Sequence, residues 1–253
     1  THYFEFTVTD EEPEGPLVFV EEPPAQAASP LDVPEPENQT GVEIFLDKET
    51  GIVGEEVVLS GKGLPENETL TIKWHTMVGN RVSLAGYGPE VWELGSVETD
   101  ESGEFDYPFA IPEDLGGYPH LIEVVSGDEV YGQTYLRILP SIVSISPQSG
   151  PPGTKFTVTI QGSGWTEFDN ALAVTYDNSY IGYICGFNKQ GTIELPLIAS
   201  GDPGYHVIDI YPSIYKGQQV QPDIYLKPQL TYREDHPGTA IPALRILYEV
   251  TEE

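Results

Sequence analysis

A single cysteine, Cys185, stands in 253 residues, so no disulfide can close within this chain. Without such staples the fold has to rest on buried apolar surface, which two modules of about 100 residues each can supply. Cys185 lies in Tyr183-Ile184-Cys185-Gly186-Phe187, an apolar strand-like run, and reads as a small core residue rather than a nucleophile. Positive charge is the next shortage. Only 11 Lys and Arg stand against 41 Asp and Glu, a net charge of −30 at pH 7. Such a surface repels nucleic acid and anionic membranes and argues against any phosphate-tracking role. No run approaches the ~18 apolar residues of a membrane-spanning helix, and no charged-then-apolar leader precedes Thr1. A start at Thr1 suits a processed terminus and a truncated chain equally.

The usual marks of catalysis are missing too. There is no Gly-x-Ser-x-Gly elbow, no phosphate loop, no His-Glu-x-x-His and no Cys-x-x-Cys. His2, His75, His120, His206 and His236 are scattered without metal-ligand spacing. Among 41 carboxylates a pair can always be nominated as acid and base, so no such pair carries specificity. The expectation is a protein that is not an enzyme and needs no cofactor.

What is present points to sheets. Gly 26, Pro 23 and Tyr 15, with many Val, Ile and Thr, suit short strands joined by turns, and no long 3.6-residue period competes. The most telling stretch is 145–165, Ile-Ser-Pro-Gln-Ser-Gly-Pro-Pro-Gly-Thr-Lys-Phe-Thr-Val-Thr-Ile-Gln-Gly-Ser-Gly-Trp. Its Pro and Gly cluster forces a bend that no helix tolerates. Phe156, Val158 and Ile160 then alternate with Thr157, Thr159 and Gln161, the period of a half-buried strand. This block resembles the opening of IPT/TIG domains, immunoglobulin-like sandwiches of cell-surface proteins and some intracellular regulators. The resemblance implies the fold and a surface habit; it brings no binding residue with it.

The chain also resembles itself. Gly51-Ile-Val-Gly54 through Gly61-Lys-Gly63 parallels Gly150-Pro-Pro-Gly153 through Gly162-Ser-Gly164, and Gly103 to Phe109 parallels Gly191 to Leu197. Gly117-Tyr118-Pro-His120 parallels Gly204-Tyr205-His206. The fold expected is all-β, two tandem immunoglobulin-like β-sandwiches over 42–140 and 141–253. Residues 1–41 form a strand and an extended Pro/Glu-rich linker before them. Tyr118 and Tyr205 are placed to bond back to upstream backbone at the corner before the penultimate strand, as a structural tyrosine corner. His120 and His206 sit beside them in equivalent positions, which favours a structural role. Two further strand-like runs, 223–232 and 243–250, fit a final hairpin or an edge that meets another molecule.

The first 50 residues hold 13 acidic residues and one basic residue, and 21–38 is a Pro/Glu/Ala stretch, the composition of an extended connector. Ahead of it Phe4, Phe6 and Val8 alternate with Glu5, Thr7 and Thr9, and Leu17-Val-Phe-Val20 is a second short apolar run. An isolated strand cannot stay unpaired in water. It folds back on its own chain or completes a sheet in a neighbour, with Phe4, Phe6 and Val8 as the assembly strand.

Carboxylates on turns nominate calcium, with Asp10, Glu11 and Glu12, Asp100 and Glu101, and Asp169 with Asn170 as weak metal candidates. Two sequons, at Asn38 and Asn67, are glycosylation candidates. Trp74 and Trp165 read as core, leaving Trp92 with Tyr87 as a sugar platform. The expected function is a structural subunit of a prokaryotic surface layer, sheath or filament, extracellular, with itself or other surface components as partner. An adhesin or carbohydrate-binding module is the alternative, and an accessory spacer of a secreted hydrolase the third.

Overall fold

Val57 and Leu59 point inward from strand β4 (Glu56–Lys62), and both are fully buried. The equivalent run in the second repeat forms β12 (Lys155–Gln161), with Phe156, Val158 and Ile160 turned inward as their period requires. The computed structural model describes residues 18–20, 34–80, 86–116, 119–164, 171–186, 189–212 and 244–252. Those residues hold seventeen strands and no α-helix.

The strands build the same sandwich twice. In the first, β4 lies between β2 (Glu43–Leu46) and β7 (Phe105–Ala110). The other sheet runs β3 (Thr50–Gly51), β9 (Glu129–Ile138), β8 (Pro119–Ser126), β5 (Thr69–Asn80), β6 (Gly86–Glu98). In the second, β12 lies between β10 (Ser141–Ser146) and β15 (Ile193–Ile198). Its larger sheet runs β17 (Leu244–Val250), β16 (Gly204–Pro212), β13 (Ala171–Tyr176), β14 (Ser179–Cys185), with β11 (Ser149–Gly150) parallel on β17. The strand-like run at 243–250 is therefore β17; the run at 223–232 lies outside the described residues.

Each sandwich closes on its own core. Leu59, Ile72, Trp74, Ile122 and Leu136 meet in the first, and Phe156, Ile160, Ile208, Ile246 and Tyr248 in the second. Full burial of one such side chain contributes about 1.5–3 kcal/mol, so these layers carry the stability that no disulfide supplies. The Phe156 and Tyr248 rings stack across the two sheets at 3.7 Å between centroids.

The repeated Gly-x-x-Gly has a backbone reason. Gly54 and Gly153 both take left-handed φ, +82° and +92°, where a side chain would strain the turn. Their N–H groups donate to Ile111 O and Ala199 O at 2.9 and 2.8 Å, and those residues return a bond to Glu55 O and Thr154 O. One turn has been used in both copies to tie the chain to the strand that ends at β7 or β15.

A last strand, β1 (Val18–Val20), comes from the N-terminal region and pairs antiparallel with β17 of the second sandwich. The apolar run at Leu17–Val20 thus supplies the paired strand, and Phe4, Phe6 and Val8 lie outside the described residues.

Candidate functional site

Strand β9 ends at Ile138 and β10 begins at Ser141, so two residues connect the sandwiches. So short a connection presses the β7–β8 loop of the first sandwich against the β14–β15 turn of the second. Asp114, fully buried, stands at that contact. Its Oδ1 accepts from Thr76 Oγ1 at 2.9 Å, Leu115 N at 2.8 Å and Gln190 Nε2 at 2.6 Å. Its Oδ2 accepts from the Trp74 indole N–H at 2.7 Å, with His120 Nδ1 at 3.5 Å. A carboxylate this buried is tolerable only when saturated with donors, and here it is.

Gln190 makes the network an inter-sandwich one. It belongs to the second sandwich, in a left-handed conformation at φ 49°, and also donates to Met77 O at 3.1 Å. Thr192 Oγ1 adds a bond to Glu113 Oε1 across the same contact. The backbones meet directly as well: Gly116 pairs with Gly164, and Gly116 N donates to Ser163 O at 3.3 Å. A Cβ on Gly116 would fall 1.7 Å from Gly162 O, so only glycine permits this approach.

The corner bonds are made by histidines. His120 Nε2 meets Leu115 O at 2.6 Å, five residues upstream, while Nδ1 meets His75 O on β5 at 2.9 Å and the ring stacks on Trp74 at 4.5 Å. His206, its counterpart, has Nε2 at 2.8 Å from Asp202 O and Nδ1 at 2.5 Å from Asp177 Oδ2, just beyond β13. In both copies a histidine beside the nominated corner tyrosine thus meets an upstream backbone carbonyl. Tyr205 is 39% exposed, and Tyr118 lies outside the described residues.

Burial works to lower the His206 pKa, but bonds to Asp177 and Asp202 outweigh it and raise it above the ordinary 6.5. A raised folded-state value means the contact stabilises fully below the unfolded-state pKa and fades as pH climbs through the folded one. We expect His206→Gln to lower the melting temperature clearly at about pH 5.5, below the ordinary imidazole value, and progressively less as pH rises through the raised folded-state value. A deficit that grows with pH would contradict this assignment.

The remaining candidates are dispersed. Asp100 Oδ1 is occupied by the N–H groups of Ser102 and Glu104 at 2.8 and 2.9 Å, closing its own turn, with Glu101 exposed beside it. Asp10, Glu11 and Asp169 lie outside the described residues, and among the described ones no three acidic, His or Cys side chains converge on a metal position. Asn67 is exposed on a turn at φ 53°, and exposed Asn38 accepts from Gln133 N at 2.9 Å. Trp92 pairs across from Trp74, packs half-buried against the first core and donates to Glu90 Oε1 at 3.0 Å. Tyr87 is paired with Gly79 in the same hairpin.

Asp114, Gln190 and Gly116 are what sequence reasoning missed. One carboxylate among 41 carries no local mark, and only the equivalence of His120 and His206 pointed toward this corner.

Tyr180, Ile181 and Tyr183 on β14, with Ile198 on β15, are exposed beside a shallow open depression lined by Tyr176 and Leu197.

Residues 140–209 match the IPT/TIG domain family model. No curated protein matches the chain. Among solved structures, a mutant Salmonella alpha-2-macroglobulin is similar at 9% identity over 85% of this chain and 17% of its own, with a TM-score of 0.28. An Escherichia coli alpha-2-macroglobulin activated by porcine elastase is similar at 9% identity over 85% of this chain and 22% of its own, also at 0.28. The chain thus spans a small part of those proteins. A mouse coronavirus receptor-binding domain complexed with its murine receptor gives 10% identity over 68% of this chain and 92% of its own, at 0.22.

Proposed function

The second sandwich is an IPT/TIG-type immunoglobulin-like domain, and from that premise we propose that this chain is a non-enzymatic structural segment of a larger extracellular protein. Its task in this reading is to transmit position and load within a surface layer, sheath or filament. The observation that carries the reading is the locked junction. A two-residue connection, a saturated buried carboxylate and a glycine-on-glycine backbone contact hold one sandwich against the next.

Modules that only need to be near one another are joined by compliant linkers, and inter-domain motion is then the default. Here that motion has been designed out. Giving up the freedom between two domains serves a protein whose geometry must repeat from copy to copy. The net charge of −30 suits a hydrated surface exposed to bulk solvent and divalent cations.

The test has two parts. Small-angle scattering is expected to return one radius of gyration at low and at high salt, as for a single rigid particle. Negative-stain microscopy of concentrated protein, with calcium or with chelator, is expected to show sheets or filaments in at least one condition. Monodisperse monomers under every condition would overturn the assembly role.

A further inference from the structure

In the first sandwich the outer edge of β9 is covered over residues 130–133 by chain that precedes β2. Gln39 N donates to Tyr131 O at 2.9 Å, Gln39 Nε2 to Val130 O at 2.9 Å and Gln133 N to Asn38 Oδ1 at 2.9 Å. Strand β3 covers the far end of β9, pairing Thr50 with Arg137 and Gly51 with Ile138. An unpaired strand edge is an open template for any passing chain, and the first sandwich closes its own.

The second sandwich repeats half of this arrangement. Strand β11 covers the far end of β17, pairing Ser149 with Glu249 and Gly150 with Val250. The near end cannot be closed the same way, because the chain directly preceding β10 is β9 itself, two residues away and committed to the first sandwich. Instead it is covered by β1: Val18 opposite Ile246, Phe19 opposite Arg245, Val20 opposite Leu244. The near end of β17 is thus filled by a strand from more than two hundred residues earlier.

We propose that this edge, Leu244–Ile246 of β17, is the joint between copies of the chain, and that within assemblies the β1 seated on it comes from a second copy. The inference rests on the structural reading above and gives it an acceptor and a donor. The backbone bonds of β1 are the same whichever copy supplies it, the condition under which exchange between copies costs little. The stretch that follows β1, Glu21-Glu-Pro-Pro-Ala-Gln-Ala-Ala-Ser-Pro30, is an acidic, proline-rich tether of extended habit. Charge sets the condition: copies at −30 repel, so exchange strengthens as salt or a divalent cation screens them.

The experiment uses the full chain with Cys185→Ser. One copy carries Phe19→Cys and one tag, the other Arg245→Cys and a second tag. They are mixed under screening salt, oxidised and run without reductant. Val20→Cys with Leu244→Cys is run in parallel, since Arg245 also bonds buried Asp209 and its loss can disturb folding. The expected result is disulfide-linked species bearing both tags, lost when Val18→Pro is added to the donor copy.

Two results overturn the proposal. With both cysteines in one chain, a purely intrachain disulfide inside assembled particles shows that β1 stays at home, and leaves the structural role standing. No disulfide at either pair shows that β1 does not occupy this edge. Failure to form any particle overturns the assembly reading itself, which separates the two claims.

Discussion

Asp114→Ala is expected to remove about 3–5 kcal/mol of stability, the range seen when a buried charged partner is deleted and its mates are left behind. Four donors lose their acceptor at once: the Trp74 indole, the Thr76 hydroxyl, the Leu115 amide and the Gln190 amide. Thr76 and Gln190 can turn toward other oxygens. Trp74 is fixed in the core and Leu115 in the backbone, so those two stay unpaired, each costing about 1–3 kcal/mol. Asp114→Asn keeps an acceptor and is expected to cost less. Urea denaturation read by tryptophan fluorescence checks the order. Because Gln190 is the inter-sandwich donor, the alanine variant should also lose coupling, with two unfolding transitions where the parent shows one. A variant as stable as the parent would mean the carboxylate does not hold this junction.

Gly116→Ala is the second large effect, and its mechanism is steric. The new Cβ would lie 1.7 Å from Gly162 O, 2.6 Å from Gly162 C and 2.9 Å from Ile138 O. All three are backbone atoms and cannot swing away, so the sandwiches themselves must part. Overpacking of this kind costs about 1–3 kcal/mol, and more where relief is blocked. The expected signature is a larger radius of gyration and new proteolytic cleavage near 139–141, while circular dichroism keeps its sheet content. Gly182→Ala, with no atom within 4 Å of the new Cβ, is the control and should change neither. If the two variants behave alike, the close contact at Gly116 is not what sets the inter-sandwich geometry.

Much of the fold was legible because alternation is local. Phe156, Val158 and Ile160 declare an inward face by themselves, and the turns at Gly54 and Gly153 declare a left-handed backbone by spacing glycine with glycine. The repeat was legible for the same reason: the same turn, strand and corner recur in order. The corner was half legible. The repeat marked His120 and His206 as equivalent, and in place each imidazole stands between an upstream carbonyl and an oxygen on or just past the neighbouring strand.

The candidate sites were less legible. Trp92, nominated with Tyr87 as a sugar platform, stands across from Trp74 half-buried against the first core, a placement that sequence alone does not show. Asp100, nominated for calcium on its turn, has its Oδ1 bonded by the turn's own amides, a contact set by the turn's closed geometry.

The sequence by itself determined the all-β class and the lack of an intrachain disulfide, since alternation and cysteine count are properties read along a chain. Only the tertiary structure decided that Asp114 is buried where the two sandwiches meet, that Gly116 must meet Gly162, and that Val18–Val20 lies on β17. Those are meetings of residues far apart in sequence. They are chosen by which edges and faces remain uncovered once every local strand has found its partner.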